Sequence, residues 1–133
     1  MELNGPMTEI TRWDEGGPWA PRFGYVRALR VGDTVIVSGT TGTDESGNPA
    51  GPGGYEQARA ALAKIREAID HLAPEAVIVR TRVYVTDISG WEDVGRAHAE
   101  MFGDRPPVST LIEVSSLVSP ELVVEIEAEA VVV

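Results

Sequence analysis

Cysteine is missing altogether from these 133 residues. Its absence excludes disulfides, thiolate nucleophiles and cysteine-held metals, and leaves the redox compartment unread. Histidine occurs only as His71 and His98, at no spacing that would gather a metal set, so neither a metal nor another cofactor is expected. No apolar run approaches the roughly 18 residues of a membrane-spanning helix. The segment MELNGPMTEITRWDEGG has neither the basic start nor the apolar block of a secretory signal; a cytoplasmic location and no membrane partner are the expectation. Positive charge is also scarce, with 11 Lys and Arg against 21 Asp and Glu, a formal net charge of −10. Such a surface repels phosphate backbones unless a local basic patch overcomes it. Arg27, Arg30, Arg80 and Arg82 are scattered through strand-like segments with no aromatic ladder beside them, so nucleic acid is not an expected partner.

What is present is the material of one small domain, long enough to bury about two-thirds of its unfolded surface around a single core. Residues 1–22, rich in Gly, Pro and charge, read as an N-terminal arm with at most one short strand, and the ordered domain as residues 23–133. FGYVRALRVGD and TVIVSGT read as two strands turning at Gly32-Asp33. TGTDESGNPAGPGG is loop; its GPGG end lacks the Gly-Lys-Ser/Thr of a phosphate cradle and reads as a mobile loop beside any cleft. Between Tyr55 and Leu72 the apolar residues Ala58, Ala61, Leu62, Ile65, Ala68, Ile69 and Leu72 share one helical face, which needs a sheet to cover. Pro74 stops that helix. The next strand, AVIVRTRVYVT, alternates Val77, Val79, Val83 and Val85 against Ile78, Arg80, Arg82 and Tyr84. Ser89 and Glu92 have the spacing of a capping box for a second helix with Trp91, Val94, Ala97, His98, Met101 and Phe102 along its apolar side, ending at Gly103.

Strands over Ser109 to Val114 and Leu122 to Val133 complete an α+β order, strand-strand-helix-strand-helix-strand-strand, with both helices on one sheet face. In the last strand Val124, Ile126, Ala128, Ala130 and Val132 face one way and Glu125, Glu127 and Glu129 the other. The second face is either solvated or a subunit interface.

The order and spacing of GYVRALRVGDTVIVSGT, YEQARAALAKI, VIVRTRVYVTDISGWEDV, STLIEVSSL and VVEIEAEAV resemble those of the RidA family, also called YjgF/YER057c/UK114. The resemblance spans Phe23 to Val133. It implies a chorismate mutase-like α+β fold, one mixed β-sheet with two α-helices on one face, and a homotrimer whose inward-turned sheets leave three clefts between neighbouring subunits. It also implies a cofactor-independent hydrolase of reactive imines or enamines, in which an arginine clamps the substrate carboxylate and a glutamate positions water.

Carried onto this chain, the family's tyrosine matches Tyr25, its serine Ser38 and its glutamate Glu125. Ser109 stands where the arginine belongs. A neutral hydroxyl in place of a bidentate guanidinium forfeits on the order of a few kcal/mol toward a desolvated carboxylate, so a standard 2-imino acid deaminase is not implied. Arg27 is the substitute favoured by strand parity with Tyr25. The expected site is therefore catalytic Glu125 with Tyr25, Ser38, Ser109 and Arg27 around a small molecule. A metabolite-binding trimer without catalysis is the alternative, and the ribonuclease activity ascribed to some relatives ranks third because of the charge. For Glu125 itself, an ion pair with Arg80 or Arg82 stays open, and His98 reads as a satisfied, partly buried ring.

Overall fold

The computed structural model describes residues 9–133. Six strands, β1 (Ile10–Trp13), β2 (Ala28–Val31), β3 (Thr34–Thr41), β4 (Val77–Val85), β5 (Val108–Glu113) and β6 (Val124–Val131), form one sheet in the order β1-β2-β3-β6-β4-β5. Only the β4·β5 pair is parallel. The helices are α1 (Ala20–Phe23), α2 (Gly54–Leu72) and α3 (Trp91–Phe102), with a 3₁₀ turn over Ile88–Gly90.

The α2 periodicity does what the spacing predicts: Ala58, Ala61, Leu62, Ile65, Ala68 and Ile69 are buried against Val35, Val37, Val83, Val85, Val124, Ile126, Ala128 and Ala130 of the sheet. Alanine at so many contact points lets helix and sheet approach closely. α3 adds Val94 and Ala97 to the same layer, so α2 and α3 cover one face. The expected β2–β3 turn forms, with Gly32 at φ 60°.

Several local expectations fail, each for a local reason. Residues 23–27 are not strand: Pro21 starts a single helical turn that ends at Gly24, and pairing in β2 begins only at Ala28. Of the expected arm, the first eight residues lie outside the described ones; the one short strand allowed for it is Ile10–Trp13, which pairs with β2, and Trp13 stacks on His71 at 4.5 Å. In β4 the register shifts between Ile78 and Arg80. The extra residue, Val79, reverses the inside-outside parity, so Ile78 is buried on one side of the bulge and Thr81, Val83 and Val85 on the other, while Val79 is exposed. The Ser89 capping box does not form. Asp87 instead accepts from the Ser89 amide (2.9 Å) and hydroxyl (2.6 Å), Gly90 becomes the N-cap of α3, and Trp91 turns out to solvent.

The GPGG loop is pinned. Gln57, wholly buried, donates through Nε2 to the carbonyls of Gly51 (2.8 Å) and Glu121 (3.0 Å) and accepts the Val123 amide at Oε1 (2.9 Å). One side chain thereby ties the start of α2 to the entry of β6.

Candidate functional site

On the sheet face away from α2 and α3, β4 and β6 set Arg80, Arg82 and Tyr84 opposite Glu129, Glu127 and Glu125 in register. The Arg82 and Tyr84 side chains lean along the strand and contact the carboxylate one step off the register, while Arg80 stays opposite its own partner. Glu129 takes both Arg82 (3.3 Å) and Arg80 (3.9 Å), and Glu127 takes the Tyr84 hydroxyl. That hydrogen bond, with the carboxylate charge beside it, holds the Tyr84 phenol above its ordinary pKa. Glu125, at the end of the row, receives no hydrogen bond or ion pair among the described residues. The pairing with Arg80 or Arg82 left open by the sequence belongs to Glu129.

Glu125 is seated by a bulge. Val37 pairs with Ala128 and Thr40 with Ile126, which leaves Ser38 and Gly39 together opposite Glu127. The bulge keeps Val37 and Thr40 both inward and brings the backbone of Gly39 under the Glu125 carboxylate. A Cβ at position 39 would stand 2.5 Å from Glu125 Oε2 and 3.0 Å from its Cδ. Burial holds the Glu125 carboxyl above the usual range, with Arg27 opposing the shift and Glu127 adding to it.

A cleft of about 680 Å³ opens beside this carboxylate, lined by Trp19, Arg22, Phe23, Tyr25, Arg27, Ser38, Gly39, Thr41, Val118 and Glu125. Four of the five expected site residues, Tyr25, Arg27, Ser38 and Glu125, thus share one cavity. Arg27 is mostly buried and heavily engaged. Its Nη1 donates to the Gly39 carbonyl (2.7 Å) and Thr40 Oγ1 (3.0 Å), and its Nε to Glu15 (3.1 Å, 11% of the arginine side chain exposed). It braces the bulge that seats Glu125. Ser38 donates to the Val26 carbonyl (2.7 Å), so toward a ligand its oxygen is left as an acceptor. The Tyr25 ring lies edge-on to Phe23 at 6.1 Å and under the Arg27 guanidinium at 5.8 Å.

Ser109 is the residue that the single chain does not bring in. It sits on β5 at the far sheet edge, paired with Thr81, and its oxygen accepts from Thr81 Oγ1 (2.7 Å). That Thr81 oxygen lies 2.8 Å from His98 Nε2 and, having given its proton to Ser109, accepts from the ring. Burial pushes the His98 pKa down, which keeps the ring neutral in this chain. Thr81 points under α3, so the hydroxyl of Ser109 is drawn to the helix-covered side.

Sequence reasoning missed Trp19, Arg22, Phe23 and Val118, because their place in the wall depends on α1 and the turn before β6. It also missed Lys64, whose Nζ donates to the Thr41 carbonyl (3.2 Å) and Thr43 Oγ1 behind the cleft, and whose half-burial lowers its pKa. Among the described residues no group of three His, Cys, Asp or Glu side chains could hold a metal ion, and no helix is long and apolar enough to cross a membrane.

The glycine at the bulge makes a prediction. Gly39→Ala is expected to fold with a stability loss under about 1 kcal/mol, since the end of a flexible side chain can yield, but with Glu125 displaced. A titration of the Glu125 carboxyl by NMR should show its pKa falling back toward the ordinary glutamate range.

These features define a small α+β protein with one helix-backed sheet and a cleft at the edge of its open face. A family model described as "Endoribonuclease L-PSP" matches residues 18–132, and the chain belongs to that family, the RidA or YjgF/YER057c/UK114 group. The Rv2704 protein of Mycobacterium tuberculosis, described as a member of the YjgF/YER057c/UK114 family, is 41% identical in its crystal structure, with a TM-score of 0.82 over 93% of this chain and all of that one. An uncharacterised protein of Streptomyces coelicolor is 38% identical over 128 residues, 91% of each chain. A RutC family protein of Sulfurisphaera tokodaii is 30% identical over 101 residues, 74% of this chain and 81% of its own.

Proposed function

We propose that the cleft is a small-molecule site in which Glu125 activates water for addition to the C=N bond of a reactive imine or enamine tautomer. The observation that carries this reading is the isolation of Glu125: it is the one β6 carboxylate without a partner among the described residues, half-buried, raised in pKa and facing a cavity of ligand size. A carboxylate so placed takes a proton from water as the oxygen bonds to carbon. The nitrogen gains protons, and collapse of the carbinolamine releases ammonia and leaves a carbonyl, so that R₂C=NH and H₂O become R₂C=O and NH₃. No cofactor enters the balance.

Completion of the cleft by a neighbouring subunit of a homotrimer belongs to the same proposal. Ile36, Val108 and Ile112, with the ion-paired row between them, are exposed on the open sheet face, which suits a subunit interface better than water. A light-scattering mass near three times 14.3 kDa is expected, and a monomer at micromolar concentration would overturn the assembly.

Ser109 favours a second reading, a trimer of the same shape that binds a metabolite without turning it over. Hydrolysis of freshly generated 2-imino acids by wild type and Ser109→Arg separates the two. Wild-type turnover supports the hydrolase; a silent wild type that gains activity with arginine at 109 supports the binding protein. Ribonuclease action ranks last, since the charge is −10 and Arg80 and Arg82 are occupied by Glu129.

A further inference from the structure

Three cations lie at or behind the cleft, and two are already spoken for. Arg27 is held by Glu15, the Gly39 carbonyl and Thr40, and Lys64 by the Thr41 carbonyl and Thr43. Arg22 differs. It lines the cavity from α1, is exposed, and has neither an ion pair nor a side-chain hydrogen bond among the described residues. In a chain with 21 acidic residues against 11 basic ones, an arginine with no ion-pair partner among the described residues lines the same largely apolar cavity as Glu125. Trp19, Phe23 and Val118 supply its apolar wall and are 46%, 85% and 56% exposed, more apolar surface than a cleft for a small polar molecule requires.

Resting on the ligand-site reading above, we infer that Arg22 supplies the anion contact absent at position 109, and that the cleft selects a small carboxylate with an aromatic or branched apolar side chain. The carboxylate takes the two parallel N–H donors of the guanidinium. The apolar group covers Trp19, Phe23 and Val118, and the reacting carbon is left toward Glu125. Because Arg22 sits on a one-turn helix that packs through buried Ala20, its replacement leaves the sheet and the Glu125 seat untouched.

Phenylpyruvate, a stable 2-oxo acid, and its methyl ester serve as probes, with binding followed by tryptophan fluorescence or calorimetry at low and at moderate salt. Phenylpyruvate is expected to bind wild type and to weaken about tenfold or more in Arg22→Ala, the loss of a charge-assisted contact. Arg22→Lys should recover part of it, and the ester should bind both proteins alike. Added salt should weaken the acid and not the ester. Equal affinity of Arg22→Ala and wild type for phenylpyruvate, with loss in Tyr25→Ala, would overturn the Arg22 assignment while leaving the cleft as the ligand site. Failure of both probes to bind wild type would overturn the ligand-site reading and the assignment together.

Discussion

Replacing Glu125 by glutamine is expected to reduce imine hydrolysis by about 100-fold or more, the usual worth of a positioned general base, and at the same time to raise the melting temperature at neutral pH. The two effects share one cause. Burial disfavours the charged carboxylate and outweighs the help of Arg27, so the folded state holds Glu125 with a raised pKa. A carboxyl raised in the folded state contributes stability below its unfolded pKa and loses it as pH rises through the folded value. At neutral pH the ionised Glu125 is therefore a burden that glutamine removes. The gain in melting temperature should vanish in acid, where the wild-type carboxyl is already protonated. Hydrolysis by wild type should fall with falling pH through a pKa above the ordinary glutamate range. A glutamine variant that is no more stable than wild type at neutral pH would show that the carboxylate is relieved by a partner in solution. Retained activity would remove Glu125 from the chemistry.

Gln57→Leu is expected to destabilise the fold by about 3–4 kcal/mol, measurable by urea unfolding. Leucine matches the volume but offers no hydrogen bonds. It strands the Val123 amide and two carbonyls that Gln57 now satisfies, and each buried group left unpaired costs about 1–3 kcal/mol, with water able to reach only part of the site. Gln57→Glu should cost at least as much at neutral pH, since it keeps an acceptor for Val123 but buries a charge and turns an oxygen toward the Gly51 and Glu121 carbonyls. If leucine costs less than about 1 kcal/mol, the staple is replaceable by solvent and the loop is looser than its hydrogen bonds indicate.

The long-range pattern of this fold was open to reading from the sequence because it depends on repetition. Seven apolar positions along α2 and four along β6 state which face is buried, and the Gly32-Asp33 turn states how β2 meets β3. Single-residue insertions were not open to it. Val79 looks like any alternating valine until β6 fixes the register on both sides of it, and the pair Ser38-Gly39 becomes a bulge only because Ala128 and Ile126 pair beyond it. The same limit applies to the site. Family spacing points to Tyr25, Ser38 and Glu125, although Tyr25 stands in an irregular segment rather than in a strand. Strand parity points to Arg27, yet β2 begins only at the next residue. Arg27 reaches the cleft because the Ser38 amide bonds to its carbonyl. Arg22, on a turn nucleated by Pro21, carries no signal of its own in the sequence.

The place of β6 in the sheet has a consequence for how the chain acquires its shape. β1, β2 and β3 precede it in the chain as one antiparallel group and β4 and β5 as a parallel pair, and among the described residues no strand pairing joins the two groups except through β6, the last strand in sequence. During synthesis the two halves can form early but cannot be joined until the keystone strand has been made, and the loops that must close are long. Folding should therefore be limited by a late docking step. Until it occurs, the flanks of β3 and β4 stay open for pairing, which makes the half-built sheet the state on which a chaperone would act.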